Sequence, residues 1–138
     1  MKIDAKVQSI SKLKDYFFLV PDYQREYVWK PDDEVEQFLI DIENEYSPDA
    51  KEQRNYFLGS IIIANNDRCF DVVDGQQRLT TIMLSLCVFR DLLKKETLNS
   101  AQKNYLQIIE NLLYNFDIES GETRVRLELQ DDAHLFCR

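Results

Sequence analysis

Histidine occurs once in this 138-residue chain, at His134, and cysteine three times, at Cys69, Cys87 and Cys137, with no CxxC spacing. Such a set makes neither a zinc site nor a disulfide framework, and no metal-ligating cluster is expected. His134 has no second histidine and reads as a surface residue, while Cys69 and Cys87 sit among apolar neighbours and read as core. No Ser-His-Asp, paired-His or Walker-type pattern is present, so an acyl-transfer or zinc enzyme has no support. Glycine and proline, three of each, are too scarce for a loop-dominated or low-complexity chain. Long apolar runs are missing too. None approaches the roughly 20 residues of a membrane helix, and the start, Met1-Lys2-Ile3-Asp4, has no apolar signal region. The expectation is a cytoplasmic chain without a membrane partner.

Positive charge is also in short supply: 17 Lys and Arg against 25 Asp and Glu leave a net charge of -8. That is the wrong sign for gathering nucleic acid over a broad surface. A local arginine cluster can still hold one anion, because charges beyond about 8 to 10 Å are screened.

What is present is a folding composition, 44% hydrophobic and 12% aromatic, at the length of about one domain. Ile10 and Leu13 lie at helical spacing in a short amphipathic stretch around Ser9 to Lys14. Tyr16 to Val20 reads as a short buried strand stopped by Pro21. Pro31 with Asp32, Asp33 and Glu34 opens a helix whose face is Val35, Phe38, Leu39, Ile42 and Tyr46. Tyr56 to Ile63 reads as a strand buried on both faces, Asn65-Asn66-Asp67 as a turn, and Cys69 to Val73 as the return strand. Leu79 to Leu93 predicts a long helix, apolar enough on most sides to sit in the core. Asn99 or Ser100 caps a further helix with the face Tyr105, Leu106, Ile109, Leu112, Leu113 and Phe116, and Gly121 closes the linker after it. Val125, Leu127 and Leu129 alternate with Arg124, Arg126 and Glu128, the period-two pattern of a half-buried strand.

The strongest chemical signal is a strand, then Asp74-Gly75-Gln76-Gln77-Arg78, then a helix. The head of a helix offers unpaired N–H groups and positive potential, so an anion there gains hydrogen bonds and field together. Gly75 turns the backbone without a Cβ, Gln76 and Gln77 supply neutral amides, and Arg78 adds a planar fork for phosphate or carboxylate. Asp74 can orient Arg78 or meet a magnesium ion carried by a nucleotide. The plainer reading makes Asp74 a helix N-cap, Gly75 a turn and Arg78 a surface cation. That reading leaves two glutamines and an arginine opening an oily helix with nothing to pair with.

A second cluster, Val20-Pro21-Asp22-Tyr23-Gln24-Arg25-Glu26-Tyr27-Val28-Trp29, interleaves aromatics with Gln24 and Arg25. Tyr23, Tyr27 and Trp29 can stack on a base while Arg25 holds a phosphate, or they can simply pack the loop on the core.

These two blocks, together with Phe57-Leu58-Gly59-Ser60-Ile61 and the continuation Leu79-Thr80-Thr81, resemble the N-terminal domain of the GmrSD-type, type IV restriction proteins. The likeness is close over residues 9 to 95, and Arg124 to Asp132 is similar to a looser later segment. It implies an α+β fold, a ParB- and sulfiredoxin-like mixed sheet with packed helices, followed here by an additional helix and strand. Residues 1–96 would form the DGQQR domain and 97–138 an extension, the beginning of a longer region. It implies defence against phage carrying modified DNA, with this domain binding or hydrolysing a nucleoside triphosphate and a separate HNH-type domain cutting. Carried over, the nucleotide site falls on Gly75, Gln76, Gln77 and Arg78, faced by Tyr23, Gln24 and Arg25. Asp74, Gln77 and Arg78 are the candidate catalytic residues, and magnesium would accompany GTP, UTP or another triphosphate. The chain carries no HNH constellation, so DNA cleavage by it is not expected, and DNA would be met through a longer parent or its nuclease domain. The alternative is a non-enzymatic module in which the segment around Tyr23 to Trp29 docks nucleic acid or a protein.

Overall fold

The structure, a computed structural model, describes residues 2–21, 27–46 and 56–129. It is an α+β fold built on a mixed four-stranded sheet. A 3-10 turn, Ile10–Asp15, leads into β1 (Phe18–Val20). A wide π turn, Pro31–Val35, opens α1 (Glu36–Glu45). β2 (Ile62–Asn66) and β3 (Cys69–Asp74) form a hairpin, followed by α2 (Gln76–Lys94) and α3 (Ser100–Leu113). A second hairpin, β4 (Tyr114–Asp117) with β5 (Glu122–Val125), precedes β6 (Leu127–Leu129). The sheet order is β2-β3-β1-β6, antiparallel between β2 and β3 and parallel elsewhere.

Short β1 lies between two parallel neighbours, and its successive side chains Phe18 and Leu19 are both buried, as a strand covered on two faces requires. Phe18 joins Val72, Leu79, Met83 and Leu113 in the main core, where Tyr16 stacks on it with centroids 5.7 Å apart. Asn99 caps α3 in a reciprocal box: its side chain accepts from Gln102 N at 2.9 Å and its N–H donates to the Gln102 side chain at 3.0 Å.

Three expectations are corrected. Tyr56 to Ile63 is not a doubly buried strand. Only Ile62 and Ile63 enter β2, which is an edge strand, and Gly59 at φ 123° breaks the extended path before it. The turn of that hairpin falls on Asp67, at φ 48°, while Asn65 and Asn66 stay in the strand. Next, α2 starts at Gln76 and only its head is buried; Leu84, Val88, Phe89 and Leu92 are about half exposed. A 19-residue helix is about 28 Å long, whereas three- to six-residue strands span about 10 to 20 Å, so the helix overhangs its sheet.

The third correction concerns the half-buried strand. Arg124, Arg126 and Glu128 are buried, and Val125 is 47% exposed. Leu127 packs half-buried against the main core while the charged positions are buried too, so the segment is covered on both sides around β6. The cause is at the end of α3, where the last carbonyls of a helix lack intrahelical partners. Arg126 supplies them: its N–H reaches Leu113 O at 2.8 Å, Nε reaches Leu112 O at 3.2 Å, and Nη2 reaches Asn111 O at 2.7 Å. Nη1 also donates to Tyr16 O at 2.7 Å. A cation at a helix C-terminus is favoured by the dipole as well. Burial pushes the Arg126 guanidinium below its ordinary pKa, the Arg124 charge adds to this, and Asp15 opposes it. Both arginines lie over the Phe17 ring, Arg124 at 3.7 Å and Arg126 at 4.6 Å from its centroid. Arg124 also donates to Arg68 O and to the sulfur of Cys69. Cys69 is buried as expected, and it is disulfide-bonded, which nothing in its sequence surroundings announced.

Candidate functional site

The expected strand, turn and helix are all found. β3 ends at Asp74, Gly75 takes the left-handed conformation at φ 88° and ψ 16°, and α2 begins at Gln76. A Cβ on Gly75 would come within 2.8 Å of the Ser60 carbonyl oxygen, so the turn requires glycine both for its dihedrals and for that close approach. The first backbone donor inside the helix is Leu79 N–H, to Gly75 O at 2.9 Å. The N-cap residue, Gly75, has no side chain to offer the head of α2. Asp74 is not the N-cap: it pairs in the ladder opposite Ile62, its side chain is exposed, and Gly75 occupies the capping position. No Asp74–Arg78 ion pair forms among the described residues.

The other motif residues divide their roles. Gln77 is buried, and its amide oxygen accepts from the main-chain N–H of Val28 at 2.8 Å and of Trp29 at 3.3 Å. One helical turn on, the buried Thr81 donates its hydroxyl to Gln77 O at 2.8 Å and stands 2.9 Å from the Tyr27 hydroxyl. Arg78 swings the other way: its Nη1 donates to Ser60 O at 3.1 Å, and its guanidinium lies across Gly59. The turn therefore gathers the three sequence blocks at one place, 27–29 through Gln77 and 59–60 through Arg78. Tyr23, Gln24 and Arg25 lie outside the described residues, as do His134 and Cys137.

Sequence reasoning missed Thr81 and Gly59 as members of this site. Thr81 follows Gln77 by four residues and so shares its helix face, a spacing that was available to be read. Gly59 was assigned to a strand, which hid its left-handed φ. Two shallow depressions lie elsewhere, one of about 400 Å³ lined by Arg68, Phe116, Ile118, Glu119 and Arg124, the other of about 490 Å³ lined by Phe89, Leu92, Leu93, Glu96 and Ile109. Neither touches the turn. Among the described residues no group of three or more His, Cys, Asp or Glu is placed to hold a metal, and no helix is long and apolar enough to cross a membrane.

A family model described as GmrSD restriction endonuclease, N-terminal domain, matches residues 7–136. The chain belongs to this family. No curated protein matches it. Residues matched by the GmrSD family model take in the whole described sheet, from β1 to β6, and every described residue of the turn.

Proposed function

We propose that this GmrSD-family chain is a regulatory domain of a cytoplasmic, bacterial anti-phage restriction system, one that binds a nucleoside triphosphate at the turn from Asp74 to Arg78. The observation that carries the reading is the left-handed glycine turn between β3 and α2, which brings the strand end directly to a helix head. An anion at that helix head would accept the main-chain N–H groups that precede Leu79 and would sit in the positive end of the helix field. Arg78 uses one of its five guanidinium N–H groups on Ser60 O, and the remainder suit a phosphate oxygen.

Magnesium would arrive with the triphosphate and not in a protein cage. It keeps several waters and needs only one or two carboxylates beside the phosphate oxygens, and Asp74 offers one exposed carboxylate at the turn. The ion would neutralise charge on the phosphoryl groups. In the hydrolytic form of the proposal, water attacks the terminal phosphorus, the bond to the bridging oxygen breaks, and the nucleoside diphosphate and inorganic phosphate leave. Arg78 would stabilise the developing charge, and Gln76 is the amide left to orient the water. Gln77 receives no chemical role here, because its oxygen already holds two main-chain donors.

The test is calorimetric titration with ATP, GTP, CTP and UTP, with and without magnesium, followed by assay of released phosphate. Binding of at least one triphosphate, with Asp74→Ala removing its dependence on magnesium, is the expected result. No binding of any of the four refutes the proposal, and binding without phosphate release removes its hydrolytic form.

A further inference from the structure

Proton counting fixes the direction of the hydrogen bonds beside the turn. Thr81 has one hydroxyl proton, and it goes to Gln77 O at 2.8 Å. The 2.9 Å contact between Thr81 Oγ1 and Tyr27 Oη therefore has Tyr27 as donor and Thr81 as acceptor. A directed chain results, from Tyr27 to Thr81 to the main chain of Gln77, while the Gln77 side chain receives Val28 and Trp29. The segment 27–29 is thus fastened to α2 twice, once at Gln77 and once a turn later.

We infer that Tyr27 and Thr81 are positioning residues of the phosphate turn: their hydroxyl pair sets where the segment 27–29 stands against the head of α2. The inference rests on the nucleotide reading for its functional part. Neither residue is argued to touch a ligand. The arrangement itself is one that sequence-local forces do not supply, since Tyr27 and Thr81 are 54 residues apart. Tyr27 is 40% exposed and gains little by burial, so its hydroxyl is what ties it down.

Trp29 makes the arrangement visible. It is the single tryptophan of the chain, is half-buried, and lies 6.1 Å between ring centroids from Phe38. Its fluorescence reports the placement of the segment with or without nucleotide. Tyr27→Phe removes the donor yet leaves the Thr81 hydroxyl satisfied by Gln77 O, so the variant keeps its fold. Thr81→Val removes the acceptor at nearly equal volume, and Thr81→Ser retains it.

The experiment compares these three variants with the parent by Trp29 emission, thermal melting and titration with the four ribonucleoside triphosphates and magnesium. Expected are a red-shifted emission and about three- to tenfold weaker triphosphate binding in Tyr27→Phe and Thr81→Val, with Thr81→Ser close to the parent. Unchanged emission in both hydroxyl-deleted variants overturns the inference, as does a Thr81→Ser variant that behaves like Thr81→Val. Shifted emission with unchanged affinity, in a parent that binds, overturns the positioning role. A parent that binds no triphosphate sinks the nucleotide reading and the functional part of the inference with it, while the emission comparison still decides the fastening of the segment.

Discussion

Arg78 lies across Gly59 in the space that any side chain at position 59 would enter: a Cβ there would stand 2.6 Å from Arg78 Nε. With φ at 123°, Gly59 also holds a backbone conformation that other residues adopt only under strain. Gly59→Ala is therefore expected to cost about 1 to 3 kcal/mol and to push Arg78 off the Ser60 carbonyl. Chemical denaturation reads the first effect and triphosphate titration the second. A variant as stable as the parent would mean the loop reshapes freely around Arg78.

The same geometry separates Arg78 from the surface cations. Arg78→Ala loses the Ser60 contact and the proposed phosphate contact but no core packing, so a loss of triphosphate affinity of about tenfold or more with a nearly unchanged melt is expected. Equal binding by parent and variant would place the phosphate elsewhere.

Arg126→Met deprives Tyr16 O, Asn111 O and Leu112 O of their donors together. The bond to Leu112 O is buried and the other two are part-buried, so the loss is about 1 kcal/mol or more at the first and less at each of the others. The total, about 2 kcal/mol, is a large share of the roughly 5 to 15 kcal/mol that holds a domain folded. A denaturant midpoint within error of the parent's would show that α3 ends satisfactorily without this guanidinium.

How much of this was legible in the sequence depends on how local its cause is. The strand, Gly75 turn and helix were read correctly because turn chemistry and helix starts are set within a few residues. The cap of α3 is legible to within one residue, Asn99 or Ser100, for the same reason, and it is Asn99. The inward facing of Arg124 and Arg126 was not legible. Period two shows that two faces differ, but which face is inside depends on the carbonyls of α3 and of Tyr16, and those approach only in the folded chain. Gln77 belongs to the same class. The part its amide oxygen plays in holding Val28 and Trp29, 49 and 48 residues away, has no local signal.

Glu34 gives a pH-dependent signature. Its Oε2 accepts from Lys30 N at 2.9 Å, and this main-chain hydrogen bond, with one to its own N–H, holds the carboxyl below the ordinary Glu range. A folded-state pKa that is depressed contributes stability above the unfolded value and loses it as pH falls through the folded one. The opening of α1 is expected to loosen on acidification, with Glu34 among the later carboxylates to protonate in an NMR titration. Glu34→Gln should abolish that dependence at this site.

Arg126 and Tyr16, joined by one hydrogen bond, are 110 residues apart, and the strands that flank them, β1 and β6, are parallel neighbours. During synthesis at about 5 to 20 residues per second, β1 emerges seconds before the strand that covers its free edge. Until then it exposes an apolar edge, Phe18 to Val20, to every passing chain. The parallel pairing thus makes the completed sheet a late event in folding, and it makes the interval before β6 arrives the period in which a nascent chain of this family is most open to aggregation or to a chaperone.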